Sequence, residues 1–280
     1  MKSDLVQIEF YFPNNNNNVK SKVKLVDLIL DEMRAKGSID RAGFSDEKML
    51  RSHILSLIGD ADIDEYKVPS EAQVQEIMEC IEATALKYNS HLAIPTKNYV
   101  YVLPYLPTKE DVAMEGVMGL TPYSCVFYIF LSAELWTKKT LANTVAHELN
   151  HTIFNYHHYD ILNDHTVLDE MVIEGLAENF RENFFDKAPA AWAVALTRDK
   201  AFKVLNEMDD RTLFSKDRGL IDGVLFGNNI YQRWTGYSVG YWLVKELLHK
   251  KPDLNWDAIM HLPSREILEI VNNKKRAYRL

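Results

Sequence analysis

Two histidines and a glutamate in the run His147-Glu148-Leu149-Asn150-His151 have the spacing needed to hold and use a divalent cation. On an α-helix, residues four apart stack on one face, so His147 and His151 can present both imidazoles to a single ion. Glu148 is turned by about 100° from His147, because a helix has 3.6 residues per turn. Its carboxylate then stands beside the ion, placed to take a proton from a bound water rather than to ligate. A zinc site that does such work needs a third protein ligand and one open position. Glu174 is the expected third ligand, and Zn2+ the expected cofactor. Glu174 interrupts an otherwise apolar stretch, Met171 to Ala177, where a carboxylate is costly unless paired or on a metal. Gly175 beside it weakens a helix, which makes sense where another helix must come close. Asp169 is assigned to a helix cap with Thr166, and Glu170 to the first helical turn, where the macrodipole already favours an acid. His157, His158 and His165 are expected to lie beyond the active-site helix and to ligate nothing.

The elements that position these residues are readable as periodicities. Thr137 to Ala146 contains good helix formers, and Leu141, Val145 and Leu149 recur every fourth residue, which predicts a helix through the histidine pair. The Thr166/Asp169 pair predicts a second helix from Val167 to about Phe185. Upstream, Leu5 to Phe12 alternates apolar and polar residues like a strand, and Asn14 to Asn18 reads as a solvated loop. Val23 to Lys36 is expected to be helical, with Val26, Ile29, Leu30 and Met33 on one face and a stop at Gly37. Ser45 is expected to cap the next helix, whose buried stripe is Met49, Leu50, His53, Ile54, Leu57 and Ile58. Within that stripe His53 reads as a packing residue. Ser70 and Gln73 form a capping-box pattern for a third helix carrying Val74, Ile77, Met78, Ile81 and Ala85. Tyr99 to Leu106 and Ser124 to Leu131 read as strands, separated by a connection through Gly116 and Gly119. Beyond Thr137 the chain reads as almost wholly helical. The expected fold is α+β and predominantly helical. Residues 1–90 form a mostly helical region of open role. Residues 91–280 form the catalytic domain, in which a small sheet precedes the active-site helix and a helical C-terminal half follows it.

With Glu174-Gly-Leu-Ala-Glu178 placed after the histidine pair, the chain resembles the gluzincin class of zinc peptidases. More narrowly it is similar to a family of predicted zinc-dependent proteases marked by HExxH, EGLAE and a GYxxGY-like segment, here Gly236-Tyr-Ser-Val-Gly240-Tyr241. The similarity covers roughly residues 116–248. The spacing from His151 to Glu174 is longer than in aminopeptidases of the leukotriene-hydrolase kind. The resemblance implies a zincin-like fold for residues 91–280 and hydrolysis of a peptide or protein substrate. It also implies that Tyr237 stabilises the oxyanion, a role that Arg233 could fill instead. Tyr237 lies at an expected loop-to-helix junction flanked by Gly236 and Gly240. Glu178 would orient a ligand histidine, as an acid at that spacing does in thermolysin-like enzymes. In zincins an extended peptide adds to the sheet edge shortly before the active-site helix. Here that strand would be Ser124 to Leu131, although its apolar composition suits an interior strand equally well.

Composition narrows the remaining classes. The chain has 280 residues, 47% apolar and 26% charged, with 32 basic against 40 acidic side chains and a net charge of −8. An acidic chain without a basic block is poorly suited to a phosphate backbone or an anionic lipid surface. Its longest apolar run, Cys125 to Leu131, is far short of the ~20 residues that span a bilayer. Two cysteines make no disulfide framework, and Met1 to Phe10 lacks the apolar core of a signal peptide, so a cytoplasmic protein is expected. Two other readings remain open. One is a non-catalytic zinc-binding or interaction protein on the same scaffold. The other is a hydrolase of non-peptide amides, although Ser124-Cys125-Val126-Phe127 lacks the deformylase pattern.

Overall fold

The alternating and β-branched segments assemble into a four-stranded sheet in the computed structural model, which describes residues 4–13, 19–108, 115–161 and 164–272. The asparagine run lies outside the described residues. Chain contacts divide the protein into two compact units, Met1–Thr152 and Ile153–Leu280.

The first unit opens with β1 (Val6–Phe10), α1 (Lys22–Ala35), α2 (Glu47–Leu57) and α3 (Glu71–Asn89). Then come β2 (Asn98–Pro104), β3 (Val117–Tyr123), β4 (Val126–Leu131) and most of α4 (Lys138–His157). The strand order is β1-β2-β4-β3. β1 and β4 flank β2 in parallel, Val6 opposite Asn98 and Tyr99 opposite Val126. β3 runs antiparallel to β4, with an irregularity between Leu120 and Tyr123. Every residue of β4 is buried, as expected of a strand covered on both faces. One sheet face carries Tyr101, Leu103, Tyr128 and Phe130 against Leu25, Ile29 and Met33 of α1 and Leu50 and Ile54 of α2.

Four sequence expectations are corrected here. The Gly116–Gly119 connection is itself strand β3, whose mixed residues suit a half-covered edge and give little hydrophobic alternation. β4, expected as a possible sheet edge, is interior, and β3 occupies the edge. Capping also shifts by one residue: Asp46, not Ser45, accepts the Met49 amide at 2.7 Å to start α2. Met49 is 46% exposed, while Leu50, Ile54 and Ile58 are buried. His53 is half-buried, its ring 4.8 Å from Phe44. At α3 the Ser70/Gln73 capping box forms as expected.

The second unit is helical: α5 (Val167–Phe184), α6 (Arg198–Glu207), α7 (Asp210–Leu213), α8 (Arg218–Phe226), α9 (Thr235–Lys250), α10 (Trp256–Met260) and α11 (Ser264–Asn272), after the last turn of α4. α9 packs along α5 and also meets α6, α8 and α11. The two long helices touch backbone to backbone. A Cβ on Gly240 would lie 1.6 Å from the Met171 carbonyl oxygen, and one on Gly175 would lie 2.2 Å from the Gly240 oxygen. The glycine beside Glu174 therefore marks the close helix approach that its sequence cost suggested. The chain is thus α+β and predominantly helical. No described helix is long and apolar enough to cross a membrane.

Candidate metal centre

α4 starts where Thr137 can cap it: the Thr140 amide donates to Thr137 Oγ1 at 3.1 Å, and Thr140 Oγ1 accepts from the Thr137 amide at 3.0 Å. Leu141, Val145, Leu149 and Ile153 are fully buried and fix the rotation of the helix. Inside the first unit, the Asn150 amide nitrogen also donates to the Tyr88 hydroxyl of α3 at 3.0 Å. With the rotation set, His147 and His151 stand one above the other. Their rings are 4.5 Å apart and nearly perpendicular, and their Nε2 atoms are 2.9 Å apart. Two imidazole nitrogens on one tetrahedral zinc, each about 2.0–2.1 Å from the ion, stand roughly 3.3 Å apart. The pair is therefore close to a chelating arrangement.

Glu148 reaches toward the edge strand. It is only 4% exposed, and its Oε2 accepts a hydrogen bond from Thr121 Oγ1 of β3 at 2.7 Å. Gly119, two residues earlier on β3, leaves the space that the carboxylate fills: a Cβ there would meet Glu148 Oε1 at 2.2 Å. Thr121 and Gly119 were not singled out from sequence. Nothing in a short mixed strand separates residues that cradle a carboxylate from ordinary edge residues.

Glu174 projects from the middle of α5, whose start is fixed by the reciprocal Thr166/Asp169 capping box. The stretch from Met171 to Ala177 is otherwise buried, and Glu174 itself is partly exposed. Two imidazoles and a carboxylate are a donor set that suits zinc.

The other acids of α5 have different surroundings. Asp169 serves the cap. Glu170 is 2.8 Å from Arg218 and 3.6 Å from His165. Burial works to raise its pKa, but His165 and then Arg218 outweigh this and hold the carboxyl below its ordinary range. Glu178 is buried, its Oε2 accepting from Arg181 Nε and Nη2 at 3.1 and 3.0 Å, and its Oε1 from Trp192 Nε1 at 2.9 Å. Arg181, one turn on along α5, was not singled out, and Trp192 was missed because only the fold brings the Ala190–Trp192 segment back to α5.

Tyr237 occupies the first turn of α9, after Trp234 in a left-handed conformation with φ of 67°. It precedes Gly240 by three residues and so shares the α9 face that meets α5. Its ring lies 6.3 Å from Phe226. The guanidinium of Arg233 stacks over the Trp234 ring at 4.7 Å. His157, expected beyond the active-site helix, is its last residue; His158 and His165 follow it.

No solved structure matches the chain. A protein of Bacillus subtilis (strain 168), "Uncharacterized protein YjfC", is 22% identical over 188 residues, 61% of this chain and 56% of that protein. The chain thus spans little more than half the length of that relative. Residues 77–269 match the model of the family described as "Predicted Zn-dependent protease (DUF2268)", a span that includes α4, α5 and α9, and the chain belongs to that family.

Proposed function

We propose that the protein is a zinc-dependent peptidase of gluzincin type, with His147, His151 and Glu174 as the metal ligands. The observation that carries this reading is the stacked His147/His151 pair, its Nε2 atoms 2.9 Å apart, on the helix whose buried glutamate is held by Thr121. Zinc bound there would lower the pKa of a coordinated water from 15.7 toward about 7 and polarise the scissile carbonyl. Glu148 accepts the proton of the attacking water and later delivers it to the leaving amine, with Thr121 and Gly119 holding its carboxylate in place. Tyr237 donates its phenolic hydrogen to the developing oxyanion, a contribution worth on the order of 10²-fold or more in rate. Glu178 acts on the position of a ligand histidine, its own carboxylate fixed by Arg181 and Trp192. The substrate is an extended peptide or protein segment that pairs with the outer edge of β3 through main-chain hydrogen bonds. Residues 91–280 make up the catalytic region. Residues 1–90 contribute β1 and the three helices near it, and the site of action is the cytoplasm.

The test combines metal analysis with a broad fluorogenic peptide library. Glu148→Gln should keep zinc and lose about 10²- to 10⁴-fold in kcat/KM, while Glu174→Ala should lose the metal. Retained turnover in Glu148→Gln removes that residue from the mechanism. Bound zinc without turnover on any peptide overturns the peptidase reading in favour of a binding protein.

A further inference from the structure

A second group of donors lies within the Ile153–Leu280 unit. His157 closes α4, and Asp257 and His261 stand one turn apart on α10 and at its C-terminal cap. One donor atom from each lies within 4.8 Å of the others, and the two imidazole rings are 3.9 Å apart. We propose that His157, Asp257 and His261 bind a divalent transition metal such as zinc, at a site separate from the His147/His151 pair.

Four features of the neighbourhood point to a ligand. First, His261 Nδ1 donates to the Asp257 carbonyl oxygen at 2.7 Å. That bond fixes the ring and leaves Nε2 as the lone-pair donor, as is usual for metal-bound histidines. Second, the carboxylate of Asp257 is not used to start its helix, because Asn255 accepts the Ala258 amide at 2.8 Å and does the capping. Third, the geometry is held from both sides. His158, next to His157, donates from Nε2 to the Met260 carbonyl oxygen at 2.9 Å and stacks on Phe154 at 4.1 Å. Met260 is the residue before His261, so the ends of α4 and α10 are tied together one position away from the ligands. Fourth, the cluster sits at the C-terminus of the twenty-residue α4, where unsatisfied carbonyls favour positive charge. Asp257 and His261 are exposed and His157 is half-buried, so water can complete the coordination. Such an open site with two nitrogens and one oxygen suits borderline cations better than calcium or magnesium, which prefer oxygen donors. A cation there would lock the final turn of the helix that carries the histidine pair.

The experiment is zinc titration of tag-free, metal-stripped protein by isothermal calorimetry, with uptake checked by elemental analysis. The wild type should take up one equivalent more than the His157→Ala/His261→Ala double variant. The His147→Ala/His151→Ala variant should still bind one equivalent, which Asp257→Asn then weakens at least tenfold. These are surface substitutions at Asp257 and His261, so circular dichroism should stay unchanged. Equal stoichiometry in wild type and His157→Ala/His261→Ala overturns the proposal. Failure of the peptidase reading looks different: the wild type then binds a single equivalent, unaffected at His147 and His151 and lost with His157 and His261.

Discussion

Replacing Gly119 by alanine isolates the positioning of Glu148 from everything else at the centre. Gly119 lies on β3 without a positive φ, so its backbone accepts alanine. The three atoms nearest the added methyl would all belong to Glu148: Oε1 at 2.2 Å, Cδ at 2.4 Å and Cγ at 2.5 Å. An ordinary contact for such a carbon begins at 3.4 Å, so the carboxylate must retreat by more than 1 Å. A misplacement of about 1 Å at a reacting group can cost about 10²-fold, or about 2.7 kcal/mol of barrier. Because a flexible side chain can move, the cost to folding should be smaller, about 1–3 kcal/mol as for other overpacked sites. The assay is kcat/KM on the best library peptide, with zinc content and urea unfolding measured on the same preparation. Zinc content should hold, since none of the three atoms nearest the new methyl belongs to a histidine. Thr121→Val, which removes the 2.7 Å hydrogen bond without adding volume, should cost about tenfold, in line with a hydrogen bond to a charged group. An alanine variant with wild-type kcat/KM and full zinc would refute the assignment of Glu148 as the base.

Gly240→Ala places a methyl 1.6 Å from the Met171 carbonyl. Neither backbone can yield without parting α5 from α9, so we expect a loss of roughly 3 kcal/mol or more in urea unfolding. An unchanged midpoint would show that the helices do not meet there. The Glu170 carboxyl is held below its ordinary value of 4.5 by His165 and Arg218, against the effect of burial. A depressed folded-state value means that this stabilisation is complete above about pH 4.5 and disappears as pH falls through the folded-state value. Glu170→Gln should therefore be less stable than wild type at pH 7, and the two should converge in acid. Melting temperatures that differ equally at pH 7 and in acid would exclude the linkage.

What could be read from sequence was governed by how local its physical cause is. The histidine pair, the Ser70/Gln73 and Thr166/Asp169 capping boxes and the buried stripes of α1 and α3 each depend on residues within a turn or two of one another. Their spacing alone therefore carries the information. β3 failed that criterion. Its residues are half-covered on one strand edge, so neither alternation nor a continuous apolar run marks it, and Gly119 made the segment resemble a turn. α2 shows the same limit at finer scale. Ser45 and Asp46 are both good caps, and only the position of the Met49 amide chooses between them. The Trp192 partner of Glu178 lay further out of reach, because it meets the carboxylate only after the chain turns back past the end of α5.

The glycines make the distinction concrete. Gly175 was suspicious in sequence because a helix interior pays for glycine, and its partner Gly240 recurs at the GYxxGY-like segment; the structure joins them in one backbone contact. Gly119 incurs a similar cost in a strand, yet an unrecognised strand hides that cost. Both sites answer the same steric need, the removal of a Cβ from the path of another group, a helix backbone at one and a carboxylate at the other. A glycine that seems to sit in a connecting segment just before an HExxH helix is therefore worth testing as the floor beneath the glutamate. Gly116, three residues earlier with φ of 77°, answers a different need: its left-handed backbone enters the strand against Leu135 and Trp136. Substituting it should perturb the fold at that turn, whereas Gly119→Ala should act chiefly on the carboxylate, at the folding cost of about 1–3 kcal/mol given above.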